Sequence, residues 1–282
     1  QTATSGLYGS NYYILTSEFK VYLCINNGSD PENPKGKTSK FEPTHTSTTV
    51  PAADNTATGD GYQWKYLYTI APADIVKFVT TSYIPLPEKW GDISTKSIKD
   101  AAVDGKLETI VIKRRGTATV DGVDGDISGI PIIGDGTGGT ATATVTNGVV
   151  SEIKLSNTNS SGYTYAHVRF VNGTWGGKKL VVGTLTDEPQ FEVIIPPKGG
   201  HGGDIYRELG AFRVMVYSKF DNNVNDKTDY IVGNDFSRVG IVKDPTDLSG
   251  TSVLNKRTAT SLGALKLKVP AGSSTQLSNV VY

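Results

Sequence analysis

The stretch that decides the fold is residues 59–70, which read Gly-Asp-Gly-Tyr-Gln-Trp-Lys-Tyr-Leu-Tyr-Thr-Ile. A Gly-Asp-Gly turn leads into a run with an aromatic side chain at every second position: Tyr62, Trp64, Tyr66 and Tyr68. Aromatic residues at period two indicate a β-strand with one face directed to a core. We therefore predict a strand here whose aromatic face is buried.

The segments on either side of this run carry their own signals. Residues 11–25 alternate between apolar and polar side chains and predict a strand pair. Residues 26–59 are rich in Pro, Thr, Ser, Asn and Lys and predict a long surface loop, of a length that is usually functional or disordered. Residues 71–79 predict a short helix. Residues 83–87 predict an extended segment whose prolines exclude it from the centre of a sheet.

The region from 107 to 195 has a different composition, dominated by Thr, Gly, Val, Ile and Asn, and predicts an all-β module. Within residues 140–155, Asn147-Gly148 separates two alternating runs, which predicts a tight hairpin. Residues 130–139 resemble residues 168–177 and suggest a weak internal repeat. Chance similarity between Gly-rich turns is the alternative interpretation.

The C-terminal third predicts further short strands. A linker or a tight turn is expected at residues 196–203, which read Pro-Pro-Lys-Gly-Gly-His-Gly-Gly. Strands are expected at residues 209–217, 239–242 and 262–269, and the Asn- and Asp-rich stretch from Asp221 to Asp229 predicts a loop.

Composition supports a mainly β chain. Of 282 residues, 37% are hydrophobic and 32 are Gly, a balance that suits short strands and many turns better than long helices. We predict β-sandwich domains with few short helices, plus the inserted all-β module. The predicted domains are a discontinuous sandwich region at 1–104 and 196–282, and the insert at 105–195.

Charge and cysteine content narrow the possible partners. Lys plus Arg equals Asp plus Glu at 28 each, so no basic footprint for nucleic acid is visible. Cys24 is the only cysteine, which rules out an intrachain disulfide and a Cys-based zinc site and indicates a reducing compartment. Its apolar surroundings in sequence predict a buried, inert thiol. We find no transmembrane run and no signal peptide, so no membrane partner is expected, and because the chain begins at Gln1 we expect upstream sequence.

Two motifs point to ligands and are weak in context. Gly134, Gly136 and Gly139 match the dinucleotide fingerprint, but a β pattern follows where a helix is needed, so a Gly-rich hairpin turn is the better interpretation. The residues that fall at calcium-loop positions are Asp124, Asp126, Ser128, Gly129 and Asp135. Flanking helices are missing and Pro131 interrupts the loop, so an ordinary turn is favoured. A second, poorer match comprises Asp221, Asn223 and Asn225, which an Asx-rich turn explains. We predict neither a metal site nor a cofactor site.

Single residues that might carry function are each better explained by structure. The three histidines have no metal-type spacing: His45 is expected to be solvated, His167 to lie on a strand face and His201 to make a packing contact. The basic triplet Lys113-Arg114-Arg115 predicts a solvated turn, with an acidic partner surface as the alternative. Trp175, in a Gly-rich loop, is the candidate for an exposed anchor.

Catalytic signatures are not found in the sequence. It contains no Gly-x-Ser-x-Gly elbow, Walker loop or His-Glu-x-x-His stretch. A pair of carboxylates for sugar cleavage stays open, because such pairs meet only in the fold. We predict a protein that is not an enzyme and has no catalytic residues.

The run at 59–70, continued by Tyr83-Ile84-Pro85, resembles the baseplate wedge subunit encoded by gene eight of T4-like contractile-tailed bacteriophages, in the version carried by cyanophages. The segment from Tyr13 to Asn26 is similar to the family's strand before a variable loop. The C-terminal part, at 210–245, is similar to its last strands, including Arg238-Val239-Gly240-Ile241-Val242. The resemblance spans roughly residues 11–95 and 196–250. The sequence lacks a counterpart of the family's N-terminal region, and residues 107–195 look like an insertion relative to the T4 form.

The resemblance implies a structural role in a virion. It implies a component of the phage tail baseplate, made in the host cytoplasm, that forms a homodimer within the wedge. Its other expected partners are neighbouring wedge proteins, and it would take part in baseplate rearrangement on contraction. The interface residues are unknown from sequence. The alternative function is a receptor- or carbohydrate-binding tail module, supported by the Tyr content, Trp175 and the β insert.

Overall fold

The computed structural model describes residues 12–54, 59–156, 159–184, 186–211, 213–221 and 235–243. Strands dominate this part of the chain, and the helices are short. In chain order the elements are β1 (Tyr13–Leu15), β2 (Lys20–Asn27), β3 (Tyr62–Thr69), α1 (Pro72–Phe78), α2 (Lys96–Asp100), β4 (Thr109–Arg114), β5 (Ala118–Val120), β6 (Gly125–Gly134), β7 (Thr140–Thr146), β8 (Val149–Leu155), β9 (Ala166–Val168), β10 (Gly173–Trp175), β11 (Lys178–Val182), β12 (Gln190–Ile194), α3 (Ile205–Glu208), β13 (Arg213–Asp221) and β14 (Asp235–Lys243).

The strands form several small sheets, so the predicted mainly β fold is confirmed. The strand orders are β1-β2-β3, β8-β7-β6-β9, β10-β11-β5, β12-β4 and β13-β14. The pairs β1–β2, β11–β5, β12–β4, β13–β14, β6–β7 and β7–β8 all run antiparallel, as expected for a chain with many short turns. Among the described helices, none has the length and apolar character to cross a bilayer.

The chain divides into two compact units. Unit 1 comprises Gln1–Gly9, Thr69–Lys96 and Asp204–Tyr282, and unit 2 comprises Ser10–Tyr68 and Ser97–Gly203. Unit 2 therefore contains the predicted insert together with the N-terminal strands. The predicted domains divide the chain by its relation to other proteins, which these compact units do not test. That division therefore stays a prediction.

The core of unit 2 is shared by three of its sheets. Ile130, Ala141 and Leu180, from three different strands, are fully buried in one cluster, and Phe170 meets Phe191 edge to face at 5.2 Å between ring centroids. Small Ala side chains on β7 let the neighbouring layers approach, and alternation along this strand leaves its Thr side chains on the outer face. Sheets packed on a common apolar layer are the arrangement of a β-sandwich.

The predicted hairpin between β7 and β8 is confirmed. Thr146 pairs with Val149, and the two turn residues have left-handed backbone angles, φ 55° at Asn147 and φ 73° at Gly148. A two-residue turn with both φ values positive matches the right-handed twist of the paired strands. The segments of the suggested repeat do not form equivalent hairpins, because β10 and β11 join through Gly176-Gly177 alone while β6 and β7 are separated by a longer loop. The repeat stays a prediction.

Unit 1 contains the predicted short helix α1 and the β13–β14 pair. Phe78 of α1 meets Tyr217 of β13 edge to face at 6.3 Å, and the Tyr206 hydroxyl of α3 donates to the Pro87 carbonyl at 2.6 Å. Residues 83–87 form no strand, as predicted. The strand predicted at 262–269, with Asn223, Asn225 and most of the loop after Asp221, lies outside the described residues.

Candidate functional site

The two faces of β3 are the reverse of the prediction. Tyr62, Trp64 and Tyr66 are only half-buried, whereas Gln63 and Lys65 on the opposite face are 8% and 3% exposed. Tyr62 and Trp64 stack with their ring centroids 5.4 Å apart. The prediction that this aromatic face belongs to the core is therefore wrong for these three residues, while Tyr68 is buried at 2% exposure.

The buried polar face of β3 is satisfied by the long loop that precedes the strand. The Gln63 amide donates to the Pro51 carbonyl at 3.0 Å and accepts from the Thr109 hydroxyl at 2.7 Å. The Lys65 ammonium donates to the Thr48 carbonyl. Buried polar groups are tolerated when they are hydrogen-bonded, and backbone carbonyls of an irregular segment provide the acceptors here.

We call residues 37–51 the strap, because they wrap around β3. The Tyr62 hydroxyl donates to the Lys37 carbonyl at 2.8 Å, whereas Gln63, on the other face, binds Pro51. Adjacent residues of a strand point to opposite faces, so the strap passes from one face of β3 to the other. Since β3 is the last strand in the order β1-β2-β3, the strap covers its edge, a common protection against unwanted strand pairing.

His45 fastens the middle of the strap to the sheet. Its Nε2 lies 3.1 Å from the Trp64 carbonyl oxygen, and its Nδ1 accepts from the Ser47 amide at 3.3 Å, which assigns the ring proton to Nε2. The Tyr22 hydroxyl donates to the His45 carbonyl at 2.5 Å. The expectation of a solvated imidazole at this position is wrong.

The buried carboxylate of Asp60 holds the N-terminal part of the strap. It is 6% exposed, and its carboxylate accepts from the amides of Lys40 at 2.8 Å and Tyr62 at 3.0 Å. Burial alone would raise the pKa of Asp60, but these backbone hydrogen bonds outweigh burial and hold the pKa below its ordinary value. Asp60 therefore stays ionised and ties the strap to the turn before β3.

Phe41 projects from the fixed part of the strap. Its side chain is 59% exposed, between Lys40, whose amide binds Asp60, and Glu42, whose carboxylate accepts from the Ser17 amide and hydroxyl at 2.6 and 2.9 Å. Sequence reasoning missed this residue. The available signal was a single aromatic side chain, two residues before Pro43, in an otherwise polar loop.

The predicted calcium-loop residues do not converge. Gly125–Gly134 is a ten-residue strand, so Asp124 and Asp135 stand at opposite ends of it and do not face a common ion. The Asp124 carboxylate accepts from the amides of Asn147 and Gly148 at 2.6 and 2.9 Å and so caps the hairpin turn. Hydrogen bonds from the Thr164 hydroxyl and amide lower the pKa of Asp135 to about 2.

The glycines of the apparent dinucleotide motif surround a tyrosine ring. A Cβ atom at Gly134 or Gly136 would lie 2.8 or 2.4 Å from ring atoms of Tyr163, and one at Gly139 would lie 2.8 Å from its hydroxyl oxygen. The Tyr163 hydroxyl accepts from the Gly139 amide at 3.2 Å and donates to the Ile132 carbonyl at 3.3 Å. The three glycines thus make room for an internal side chain, and a strand follows them as predicted.

The basic triplet is bound within the protein. Arg115 makes two hydrogen bonds of 2.9 Å to the Glu32 carboxylate, and Arg114 donates to the Glu188 carbonyl at 2.7 Å. Lys113 pairs with Glu192 at 2.6 Å. The expectation of a solvated turn is wrong, because Lys113 and Arg114 lie on β4 and Arg115 follows it directly, and all three side chains make contacts within the protein.

Trp175 is half-buried rather than projecting. Its indole donates to the Val171 carbonyl at 3.3 Å, and the Arg169 guanidinium lies 5.9 Å from the ring centroid. His167 lies exposed on β9 as predicted, and His201 lies in the turn between β12 and α3. The role of Trp175 as an exposed anchor is not supported by this packing.

Two further features bear on chemistry. Cys24 is half-buried, and burial, with a smaller effect of Asp60, raises the pKa of its thiol to about 11, which makes it a poor nucleophile. Between the start of the loop at Ser29 and β4 at Val111 lies a pocket of about 70 Å³, well below the size of common ligand sites. Within the described ranges, His, Cys, Asp and Glu side chains form no group of three suited to a metal ion.

Comparison with family models gives a match over the region that contains the strap. Residues 16–120 match the family model described as Bacteriophage T4, Gp8. This confirms the predicted resemblance to the gene-eight type of baseplate wedge subunit over somewhat more than a third of the chain, from β2 to β5. The match supports a structural role in a phage tail baseplate. No curated protein and no solved structure matches the chain.

Proposed function

We propose that this protein is a structural subunit of a phage tail baseplate wedge, which assembles with itself and with neighbouring wedge subunits. The observation that carries the proposal is the family match over residues 16–120. That range includes the whole strap, the β3 edge that it covers and the exposed Phe41. We further propose that the protein is not an enzyme, since the family is one of structural components.

The internal hydrogen bonding of the matched region suits a part that must keep its shape within an assembly. The strap has no regular secondary structure, yet side chains of Tyr62, Gln63 and Lys65 hold its carbonyl groups. Segments fixed in this way lose little conformational entropy on binding, which favours specific contacts between subunits. A homodimer within the wedge and a part in its rearrangement on contraction are the finer elements of the proposal, with synthesis in the host cytoplasm.

Immunogold electron microscopy of purified virions tests the proposal. Antibody against this chain is expected to label the distal end of the tail, at the baseplate, and not the head or the tail shaft. Label along the fibres or at their tips would overturn the wedge role and favour a receptor-binding module. Absence of the chain from the particle would overturn both.

A second measurement tests self-association. Sedimentation velocity of the purified chain over a range of concentrations is expected to show a dimer at the higher concentrations. A monomer throughout would leave the baseplate role standing and remove the homodimer from it.

A further inference from the structure

We infer that Asn147 is a site of deamidation, and that the carboxylate of Asp124 holds this reaction back by binding the backbone amide that starts it. Deamidation converts the side-chain amide of asparagine to a carboxylate and so adds one negative charge. The inference goes beyond the proposed function, because it concerns the chemical lifetime of the chain itself.

The reaction takes place within one Asn-Gly step and needs only hydroxide and water. Hydroxide removes the proton of the Gly148 amide, and the amide nitrogen attacks Cγ of Asn147. A bond from this nitrogen to Cγ forms, the bond from Cγ to the side-chain nitrogen breaks, and ammonia leaves after taking a proton from water, which restores the hydroxide. Water then opens the five-membered succinimide ring at either carbonyl and gives aspartate or isoaspartate. Glycine favours the attack because it has no Cβ to obstruct it.

The sequence contains three such steps, and the contacts of their asparagine side chains differ. The steps are Asn27-Gly28, Asn147-Gly148 and Asn172-Gly173. The Asn27 side chain donates to the Lys35 carbonyl at 3.2 Å, and the Asn172 side chain accepts from the Val182 amide at 2.7 Å. Asn147 is exposed, and its side chain makes no hydrogen bond within the described ranges. Of the three, Asn147 is therefore the one whose side chain can turn toward the following amide without breaking a contact.

The restraint on Asn147 is a carboxylate from outside the turn. Oδ1 of Asp124 accepts from the Gly148 amide at 2.9 Å, and Oδ2 accepts from the Asn147 amide at 2.6 Å. A negative charge beside the Gly148 amide disfavours loss of its proton, because the anion that forms would face a second negative charge. The same bond fixes the orientation of the nitrogen, whereas attack needs it aligned on Cγ at about 3–3.5 Å.

Conversion of Asn147 would weaken the hairpin between β7 and β8. An aspartate at position 147 would place a second carboxylate next to that of Asp124, and like charges at short distance repel each other. Isoaspartate would lead the backbone through the side-chain carbon and lengthen the turn, which does not suit the two-residue geometry that joins these strands. The converted chain is therefore expected to melt at a lower temperature.

Peptide mapping by mass spectrometry tests the inference on the full chain. The unmodified chain, Asp124→Ala and the control Asp126→Ala are incubated in the folded state at mildly alkaline pH. The mass gain that accompanies exchange of an amide for a carboxylate is then followed at all three Asn-Gly steps. Asp126 is a suitable control because it is exposed, and its carboxylate accepts from the Thr144 hydroxyl and not from the turn.

Conversion at Asn147 is expected to be at least about tenfold faster in Asp124→Ala, because the Gly148 amide loses a charge-assisted hydrogen bond. It should be unchanged in Asp126→Ala, and Asn27 and Asn172 should react at the same rates in all three proteins. An unchanged rate at Asn147 in Asp124→Ala would overturn the inference. Equal acceleration at all three steps would also overturn it, since that result indicates general loosening of the fold and not release of one amide.

A second variant keeps the inference testable if Asp124→Ala does not fold, which circular dichroism would show. Asp124→Ser retains a short side chain with one neutral acceptor at the turn. It removes the negative charge beside the Gly148 amide and should still raise conversion at Asn147 alone. No rise in this variant would contradict the role of the Asp124 carboxylate.

Discussion

His45 is surrounded by groups that favour its neutral form. Burial lowers the pKa of its imidazole, and the nearby cations of Lys20 and Lys65 lower it further, against the opposing effect of the bond to the Trp64 carbonyl. Protonation would place a second N–H at Nδ1, where the Ser47 amide already donates. Charged His45 would therefore lose one bond of the strap and repel two neighbouring cations.

Stability should consequently fall as the pH falls through the ordinary pKa of histidine. The folded pKa of His45 lies below 6.5, so the unfolded chain binds more protons once the pH drops below that value, and the free energy of unfolding decreases. Urea unfolding at about pH 7.5 and about pH 5.5 measures the effect. The carboxyl groups with lowered pKa values, such as Asp60 and Glu32, titrate below this window.

Matched variants assign this pH dependence to one residue. His45→Gln retains a donor for the Trp64 carbonyl and does not titrate, so the difference in unfolding free energy between the two pH values should shrink. His167→Gln alters an exposed histidine on β9 and should leave the difference unchanged. A pH dependence that His167→Gln removes and His45→Gln preserves would contradict the assignment.

At the scale of elements, β3 marks the limit of what the sequence predicts. Its alternation predicts a strand, and the strand is present, but a period of two is the same whichever face is buried. The outcome depends on the strap, whose carbonyl groups satisfy Gln63 and Lys65 and so permit burial of the polar face. These two contacts join residues that are separated by 12 and 17 positions in the sequence, so no local sequence pattern indicates them. Phe41 was missed for the same reason, because its supports, Asp60 and Ser17, are distant in sequence.

Local geometry made other elements predictable. Asn147-Gly148 requires only its own backbone angles to form the turn between β7 and β8. The contacts of Asp124 could not be predicted in the same way, because the only pattern that included this residue was the spacing of a calcium-binding loop. In the fold its carboxylate binds the amides of that same turn, 23 and 24 residues away.

The glycines at 136 and 148 should fail for different reasons when replaced. Gly148→Ala is expected to lower the free energy of unfolding by about 1–2 kcal/mol, because φ is 73° there. An added Cβ would meet no atom within 4 Å, so this loss comes from backbone strain alone. Gly136→Ala is expected to cost about 1–3 kcal/mol, because its Cβ would lie 2.4 Å from the Tyr163 ring. Urea unfolding measures both.

Asparagine at each position separates strain from steric overlap. Asn tolerates left-handed angles, so Gly148→Asn should recover much of the stability lost in Gly148→Ala. Gly136→Asn adds volume against the same ring and should be at least as destabilising as Gly136→Ala. Recovery of stability by Asn at position 136 would show that backbone conformation, and not packing against Tyr163, is the requirement there.

At the scale of the whole molecule, the chain lacks the net charge that keeps most proteins apart. Its 28 basic and 28 acidic residues cancel, and the sequence pI is about 7.0. With only three histidines, few groups titrate near neutrality, so the net charge stays close to zero over a broad range. Copies of the chain approach with little mutual repulsion, which suits a proposed assembly component whose contacts are local.

This charge balance predicts a broad solubility minimum around neutral pH. Precipitation by polyethylene glycol should need the least polymer between about pH 6 and about pH 9, and more polymer on either side as carboxylates or lysines titrate. A double variant, Lys89→Glu with Lys198→Glu, alters two exposed side chains and moves the net charge from zero to about −4, since each substitution removes one positive and adds one negative charge. It should be more soluble at pH 7 with an unchanged melting temperature. If the variant precipitates at the same polymer concentration as the original chain, specific contacts and not the missing net charge control association.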